Sequence, residues 1–136
     1  MPSKVVVDTN VWVSYFINDR INYLIKWLLD RDIEVFISDE LISEVNEVLH
    51  RPKFSHRKSG NDISDFIDLL GEVGSYCKVK PAFKNSPDPD DNFLFDLCLE
   101  SEAEYLITSD KKLLQFTPGF QLNIIVFSEF RKLFMK

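Results

Sequence analysis

The chain has 136 residues, 45% of them hydrophobic, which is enough for one domain, residues 1–136, with a core of its own. Its net charge of −6 argues against non-specific binding of nucleic acid, and its two isolated cysteines exclude a disulfide framework and a cysteine-based zinc site. The N-terminus has no apolar signal region and no apolar run is long enough to span a bilayer, so we expect a soluble, cytoplasmic protein with no membrane partner.

Apolar segments of strand length alternate with amphipathic segments of helix length along the chain. Strands are predicted at residues 4–8, 34–37, 76–79, 105–108 and 123–127. Helices are predicted at residues 11–17, 21–31, 39–50, 63–73, 91–102, 111–115 and 128–135. The strands are continuous apolar runs, which is typical of a parallel sheet covered on both faces. The sequence therefore predicts a three-layer α/β/α domain with about five parallel strands.

Two segments interrupt this alternation. Residues 50–61 are basic and contain Pro52 and Gly60, so they are predicted to form a loop or flexible arm. Residues 81–89 are rich in proline and lead to the helix that is predicted to begin near Asp91. Neither segment is long enough to link two domains.

Two acidic residues occupy equivalent positions at the ends of predicted strands. Asp8 ends the first strand, and Asp110 closely follows the fourth. Ligands of doubly wound sheets bind beyond the carboxyl ends of the strands, so both side chains are candidates for a site. Each could instead cap the helix that follows it, and Asn10 is a further candidate for the first cap. The matching placement of the two acids favours a role in the site.

Glu44 lies at the edge of the apolar stripe of its predicted helix, about 100° from the centre of the stripe. Glu40 and Glu47 fall on the opposite, solvated face. A carboxylate at the border of the core needs a partner, which could be a metal ion or a Lys or Arg side chain.

A cluster of acids precedes the predicted helix at 91–102. Asp91 lies on the same helical face as Leu94, whereas Asp90 precedes the first turn and could cap it. A purely structural role is also reasonable for the cluster, since acids at a helix start interact favourably with the helix dipole. Asp91 is the better candidate for a site, and Asp96, nearly opposite to it on the helix, is expected to be solvated.

Four carboxylates that meet in one cleft repel one another unless a cation holds them. Hard divalent cations such as Mg²⁺ take oxygen ligands, so this set predicts a metal site. His50 and His56 lack other metal ligands at suitable spacing, and the chain has no nucleophile motif and no glycine-rich phosphate loop.

Basic residues near the predicted cleft are the candidates for contact with phosphate. They are Arg51, Lys53, Arg57, Lys58, Lys111 and Lys112. A solvated charged face explains the first four equally well.

The order and spacing of four motifs resemble the PIN-domain family over essentially the whole chain, and within it the (VapC-like) toxins of bacterial toxin–antitoxin systems. The motifs are VVVDTNVWVS at 5–14, ISDELISEVNEVLHRPKF at 37–54, DPDDNFLFDLCLESEAEYLITSD at 88–110 and the KKLL that follows. The resemblance implies that the metal-binding, catalytic quartet is Asp8, Glu44, Asp91 and Asp110, and that Thr9 and Asn10 help orient the first of these. Ser109 replaces the family's usual glycine before the last acid, which removes no ligand.

The resemblance also implies a fold and a function. It implies a five-stranded parallel sheet and an endoribonuclease, dependent on Mg²⁺ or Mn²⁺, that cleaves single-stranded RNA. It further implies a homodimer and a small antitoxin protein as partner.

Other functions remain open or can be set aside. A catalytically silent PIN-like module that binds RNA or protein, and a nuclease that processes RNA outside toxin–antitoxin systems, are the alternatives that stay open. A phosphatase of the haloacid-dehalogenase type requires a second aspartate where Asn10 stands. A response-regulator receiver requires paired acids at the end of the first strand and a phosphoacceptor aspartate after a middle strand, and the sequence has neither.

Overall fold

A five-stranded parallel sheet forms the centre of the computed structural model, which describes residues 3–135. The strands are β1 (Ser3–Val7), β2 (Ile33–Ile37), β3 (Ser75–Tyr76), β4 (Tyr105–Ile107) and β5 (Asn123–Ile125). Their order in the sheet is β3-β2-β1-β4-β5, and every neighbouring pair is parallel. The α/β class with five parallel strands is therefore confirmed.

Residues 3–135 contain eight α-helices and a 3₁₀ turn at Pro89–Asp91, which connect the strands except for the last helix, which follows β5. The helices are α1 (Thr9–Ile17), α2 (Ile21–Asp30), α3 (Asp39–Leu49), α4 (Pro52–Ser55), α5 (Gly60–Val73), α6 (Asn92–Ser101), α7 (Lys111–Leu114) and α8 (Phe127–Lys132). Each predicted helix is found, with bounds shifted by a few residues. None of the helices in the described part of the chain is long and apolar enough to cross a membrane.

The handedness of the connections places helices on both faces of the sheet. The chain moves from β1 to β2 to β3 in one direction and then returns past β1 to β4 and β5. Because parallel crossovers are right-handed, the helices before β3 and those between β3 and β5 cover opposite faces. Strand β1 lies at the centre, and Val5, Val6 and Val7 are completely buried.

The basic segment at 50–61 is more ordered than a flexible arm, which corrects the prediction. Pro52 occupies the first turn of α4, where its missing N–H removes no helical hydrogen bond. The hydroxyl of Ser59 accepts a hydrogen bond from the Asp62 N–H at 3.0 Å and so caps α5. Helix α5 therefore begins at Gly60, three residues earlier than the apolar pattern predicts.

Strand β3 is shorter than predicted because its partner ends. The Cys77 N–H donates to the Ile37 carbonyl oxygen at 2.8 Å, and Ile37 is the last residue of β2. Beyond Cys77 no strand of the described residues lies alongside to pair with, so residues 78 and 79 leave the sheet. A side chain at Gly74 would come within 2.6 Å of Ile37 Cγ2, so the close entry from α5 into β3 requires glycine.

Asp96 is buried, which corrects the prediction that it is solvated. Its Oδ1 accepts hydrogen bonds from the backbone N–H groups of Ala82 at 2.9 Å and Phe83 at 2.6 Å. The Phe83 ring stacks on Phe95, with ring centroids 4.8 Å apart. These contacts fasten the proline-rich segment to α6 and thereby place the acidic cluster at the start of that helix.

Candidate active site

The first candidate acid lies where the central strands end. Val7 pairs with Ile107 at the end of β1 and β4, and the Asp8 N–H extends the ladder by donating to the Ile107 carbonyl oxygen at 2.9 Å. Asp8 is 4% exposed. Since Asp8 and Thr108 follow adjacent parallel strands, their side chains meet at the carboxyl edge of the sheet.

Thr108 connects two of the candidate acids. Its hydroxyl donates a hydrogen bond to Asp8 Oδ2 at 2.7 Å and accepts one from the Asp110 N–H at 3.1 Å. The Thr108 side chain is fully buried. The sequence analysis did not select this residue, because its position at the strand end does not identify Asp8 as its partner. In this structure Thr108 is the side chain that orients Asp8.

Thr108→Val is expected to destabilise the protein by about 2 kcal/mol, because it leaves a buried carboxylate oxygen and the Asp110 N–H without a partner. Valine has a similar shape, so loss of packing contributes little. Thermal or urea unfolding measures the effect, with Thr117→Val, at an exposed threonine, as the matched control. Equal stability of the two variants would show that the hydroxyl is not needed to hold the edge of the sheet.

The residues after Asp8 occupy different environments. Asp8 is the N-cap residue of α1 by position, but its carboxylate makes no capping hydrogen bond, so the helix leaves that side chain available to the site. The Thr9 hydroxyl is buried and has no hydrogen-bond partner, whereas Asn10 is exposed. Neither of these two side chains hydrogen-bonds to Asp8 within the described residues.

Burial is the largest influence on the pKa of Asp8. Loss of solvent raises the pKa of its carboxyl group, and the charge of Asp110 raises it further. The hydrogen bond from Thr108 opposes this rise, and so do the nearby backbone N–H groups of Thr9 and Asn10, which do not reach the geometry of a capping hydrogen bond. Burial has the larger effect, so ionised Asp8 is destabilised in the absence of a cation.

Asp110 combines a structural contact with a place at the site. Its Oδ1 accepts a hydrogen bond from the Lys112 N–H at 2.9 Å and so caps α7. The other carboxylate oxygen makes no hydrogen bond within residues 3–135. The cap and the site role are therefore compatible.

A short turn presents Asp91. Asp88 caps this 3₁₀ turn, since its Oδ1 accepts from the Asp90 N–H at 2.9 Å. Burial, followed by the charges of Asp8, Asp88, Asp110 and Glu44, raises the pKa of Asp91 to about 6. The charges that act on Asp91 therefore include those of all three other members of the candidate quartet. Asp90 is exposed and Asp91 is partly buried.

Glu44 approaches the cluster from α3 on the other side. It is partly buried, and burial raises the pKa of its carboxyl group, followed by the charge of Glu47. Arg51 lowers that pKa, but its guanidinium pairs with Glu47 at 3.3 Å. The partial burial of Glu44 agrees with the position at the edge of the apolar stripe that the helical wheel predicts for it.

The quartet has the chemistry of a site for a hard cation. None of its four carboxylates makes an ion pair within residues 3–135. Oxygen ligands and uncompensated negative charge suit Mg²⁺ or Mn²⁺. As the side chains stand, no group of three or more His, Cys, Asp and Glu residues among those described has the arrangement of a metal site.

The basic candidates differ in their availability. Lys58 forms an ion pair with Asp19 and its ammonium group lies over the Phe16 ring at 5.3 Å, so its side chain is 16% exposed and already engaged. Arg51 pairs with Glu47. The other four, Lys53, Arg57, Lys111 and Lys112, are exposed and make no ion pair within the described part of the chain.

A separate groove of about 590 Å³ lies between α3 and α5 and contains none of the four acids. Its lining includes Ile42, Ile63 and Ile67. Its ionisable residues include Asp39 and Tyr76, which are both exposed and satisfy each other through a hydrogen bond from the Tyr76 hydroxyl to Asp39 Oδ2 at 2.8 Å. Asp8 and Asp91 are buried or partly buried and make no ion pair within the described residues, so the acidic edge of the sheet is the better candidate for chemistry.

Comparisons with known proteins agree with this architecture. A model of the PIN domain family matches residues 4–112. An uncharacterized protein of Methanocaldococcus jannaschii, MJ1680, is 27% identical over 114 residues, which are 82% of this chain and 73% of that protein. The crystal structure of PAE2754 from Pyrobaculum aerophilum superposes with a TM-score of 0.65 at 17% identity, over 96% of this chain and 89% of that one.

Proposed function

Because the chain belongs to the PIN domain family, whose members are generally nucleases, we propose that it is a metal-dependent endoribonuclease that hydrolyses phosphodiester bonds in single-stranded RNA. One observation carries the proposal. Thr108 hydrogen-bonds both the Asp8 carboxylate and the Asp110 N–H at the carboxyl edge of the parallel sheet, and burial, with the charges of Asp8, Asp88, Asp110 and Glu44, raises the pKa of Asp91 to about 6. An uncompensated acidic cluster at that edge supports the binding of a divalent cation and, with it, of a phosphate group.

The residues would divide the work between them. Asp8, Asp91 and Asp110 would hold Mg²⁺ or Mn²⁺, with Glu44 alongside. The bound ion would acidify a water molecule and offset the charge that builds on the phosphate oxygens. Thr108 would keep Asp8 oriented through its hydrogen bond of 2.7 Å. No histidine or lysine is needed as a general base.

Substrate affinity must come from positive groups outside the acidic cluster, because the cluster repels phosphate. Of the basic residues that the sequence predicts to contact phosphate, four have exposed side chains that are available: Lys53, Arg57, Lys111 and Lys112. Lys58 would contribute less, since its charge is paired with Asp19.

The finer biological assignment rests on the resemblance of the sequence motifs. We propose a cytoplasmic toxin of a toxin–antitoxin pair, a homodimer that a small antitoxin protein would inhibit. An RNA-processing nuclease is the alternative on the same chemistry. The presence of all four acids favours an enzyme over a catalytically silent binding module.

Cleavage of labelled single-stranded RNA tests the proposed activity. We expect cleavage with Mg²⁺ or Mn²⁺, none with EDTA, and a loss of about 100-fold or more in the Asp8→Asn variant. The variant keeps the size of the side chain and removes its charge.

The melting temperature, measured with and without metal, shows whether the protein binds the cation when no cleavage is seen. Cleavage that survives EDTA or Asp8→Asn would contradict the mechanism. A metal-dependent rise in melting temperature without cleavage would support the site and reject the RNAs tested as substrates. Neither cleavage nor a metal response would favour the silent module.

A further inference from the structure

A patch of arginine and tyrosine side chains covers the junction of α1, α2 and α8. Its members are Tyr15, Arg20, Tyr23 and Arg131, called here the Arg–Tyr patch. The Arg20 guanidinium lies over the rings of Tyr15 at 5.4 Å and Tyr23 at 5.6 Å. Arg131 Nη1 donates a hydrogen bond to the Tyr23 hydroxyl at 2.6 Å. The side chains therefore form one surface in which cations and aromatic rings alternate.

Neither guanidinium of the patch has an acidic partner in the described residues. The nearby acids are already paired: Asp19 with Lys58 and Glu129 with Lys132. Arg20 is exposed, and Tyr23 is 41% exposed. In a protein with a net charge of −6, two unpaired guanidiniums at one place are a local excess of positive charge.

Helix α1 connects the acidic cluster with the Arg–Tyr patch, because it begins after Asp8 and carries Tyr15 near its end. Asp8 precedes this helix and its side chain turns toward β4 through Thr108. Tyr15 follows seven residues later, which is two helical turns and about 10 Å along the axis. Its ring contacts Phe127, at the start of α8 after β5, with centroids 5.8 Å apart. Both side chains thus project toward the β4–β5 half of the sheet.

The surface beside Tyr15 is concave. A cleft of about 430 Å³ is lined by Ser14, Tyr15, Asn18 and Arg20. Its groups are a guanidinium, a ring face, a hydroxyl and an amide. Such a set suits a phosphodiester with its sugar and base, since arginine binds phosphate through paired N–H groups and bases stack on aromatic rings.

We propose that the Arg–Tyr patch binds the backbone of the single-stranded RNA on one side of the acidic cluster. This inference depends on the proposed ribonuclease function. Arg20 and Arg131 contact phosphates, and the exposed ring of Tyr23 stacks on a base. The rise of about 10 Å along α1 from Asp8 to Tyr15 corresponds to about three nucleotides of a stacked strand, and the rest of the patch lies beyond Tyr15. Lys58 of the 50–61 segment pairs with Asp19 beside Arg20, so its charge is not available to the same strand.

Binding of fluorescein-labelled single-stranded RNA, measured by anisotropy with Mg²⁺ and across a salt series, tests the proposal. All proteins carry Asp8→Asn, so cleavage does not interfere. The variant Arg20→Gln with Arg131→Gln should weaken binding about tenfold or more and reduce the salt slope by about 1.4, or about 0.7 for each of two phosphates. Arg20→Lys with Arg131→Lys should keep the slope and lose part of the affinity, because it preserves charge and removes the planar fork.

Lys26→Gln is the matched control. Lys26 is also exposed on α2, but its ammonium group pairs with Asp30 at 3.0 Å, so we expect an unchanged affinity. Circular dichroism and light scattering accompany every variant. A change of molar mass in the double glutamine variant would show that the patch is a contact between protein chains and overturn the proposal.

The remaining outcomes separate the patch from the proposed function. If the Asp8→Asn parent binds RNA and the double glutamine variant binds equally well, the patch proposal fails and the ribonuclease stands. If the parent does not bind and the natural chain does not cleave, the proposed function fails and the patch proposal falls with it.

Discussion

Replacing Asp91 by asparagine is expected to lower the rate of RNA cleavage by about 100-fold or more, whereas Asp90→Asn should change it by less than about threefold. The reason lies in their surroundings. Asp91 is partly buried, and Asp8, Asp110 and Glu44 all act on its charge. Asparagine at this position keeps the shape and one oxygen but removes the charge that a divalent cation requires.

The neighbouring acid provides the control because it is adjacent in sequence and different in environment. Asp90 is exposed, and its backbone N–H is bound by Asp88. Its charge acts on Glu44, but it is not among the groups that act on Asp91. Initial rates at saturating Mn²⁺, with circular dichroism of both variants, decide the matter. An equal loss of activity in the two variants would move the ligand assignment away from Asp91.

The fold was predictable because burial leaves a direct mark on the sequence. The central strand reads Val5-Val6-Val7, and a strand covered on both faces has no polar alternation. Strand–helix alternation then implies parallel order, and parallel order brings the ends of β1 and β4 to one edge. The approximate place of Asp8 and Asp110 followed from these rules.

The details of the site depend on contacts that periodicity does not encode. Thr108 meets Asp8 across 100 positions of the chain, so no local pattern announces their hydrogen bond. Asp96 lies on a face that the helical wheel marks as solvated, yet a segment without regular structure covers it. Lys58 belongs to a basic run, but Asp19 and the Phe16 ring engage its charge. In each case a distant segment determines what the side chain does.

The raised carboxyl pKa values also predict how stability depends on pH in the metal-free protein. The pKa of Asp91 rises from 3.8 to about 6 on folding, so the folded state binds more protons than the unfolded state between these values. The contribution of Asp91 to the free energy of unfolding is therefore greatest below about pH 4 and falls as the pH rises through about 6. The pKa values of Asp8 and Glu44 are raised as well, so both act in the same direction.

Asp91→Asn should consequently stabilise the metal-free protein, and more so at higher pH. After allowance for solvent screening of a partly exposed group, we expect about 1–2 kcal/mol at pH 7 and little at pH 4. For a chain of this size that corresponds to a rise of roughly 3–8 °C in melting temperature at pH 7. Thermal unfolding in EDTA at the two pH values measures the difference.

The response to metal should change in the opposite sense. Mg²⁺ or Mn²⁺ at about 100 times its Kd stabilises a folded protein by about 2.7 kcal/mol through mass action, and loss of one carboxylate ligand weakens that binding. Metal should therefore raise the melting temperature of the natural chain more than that of Asp91→Asn. Asp90→Asn removes the same formal charge at an exposed site and should leave both the pH profile and the metal response nearly unchanged. An Asp91→Asn variant with the same pH profile and metal response as the natural chain would show that Asp91 lies outside the cluster that binds the cation.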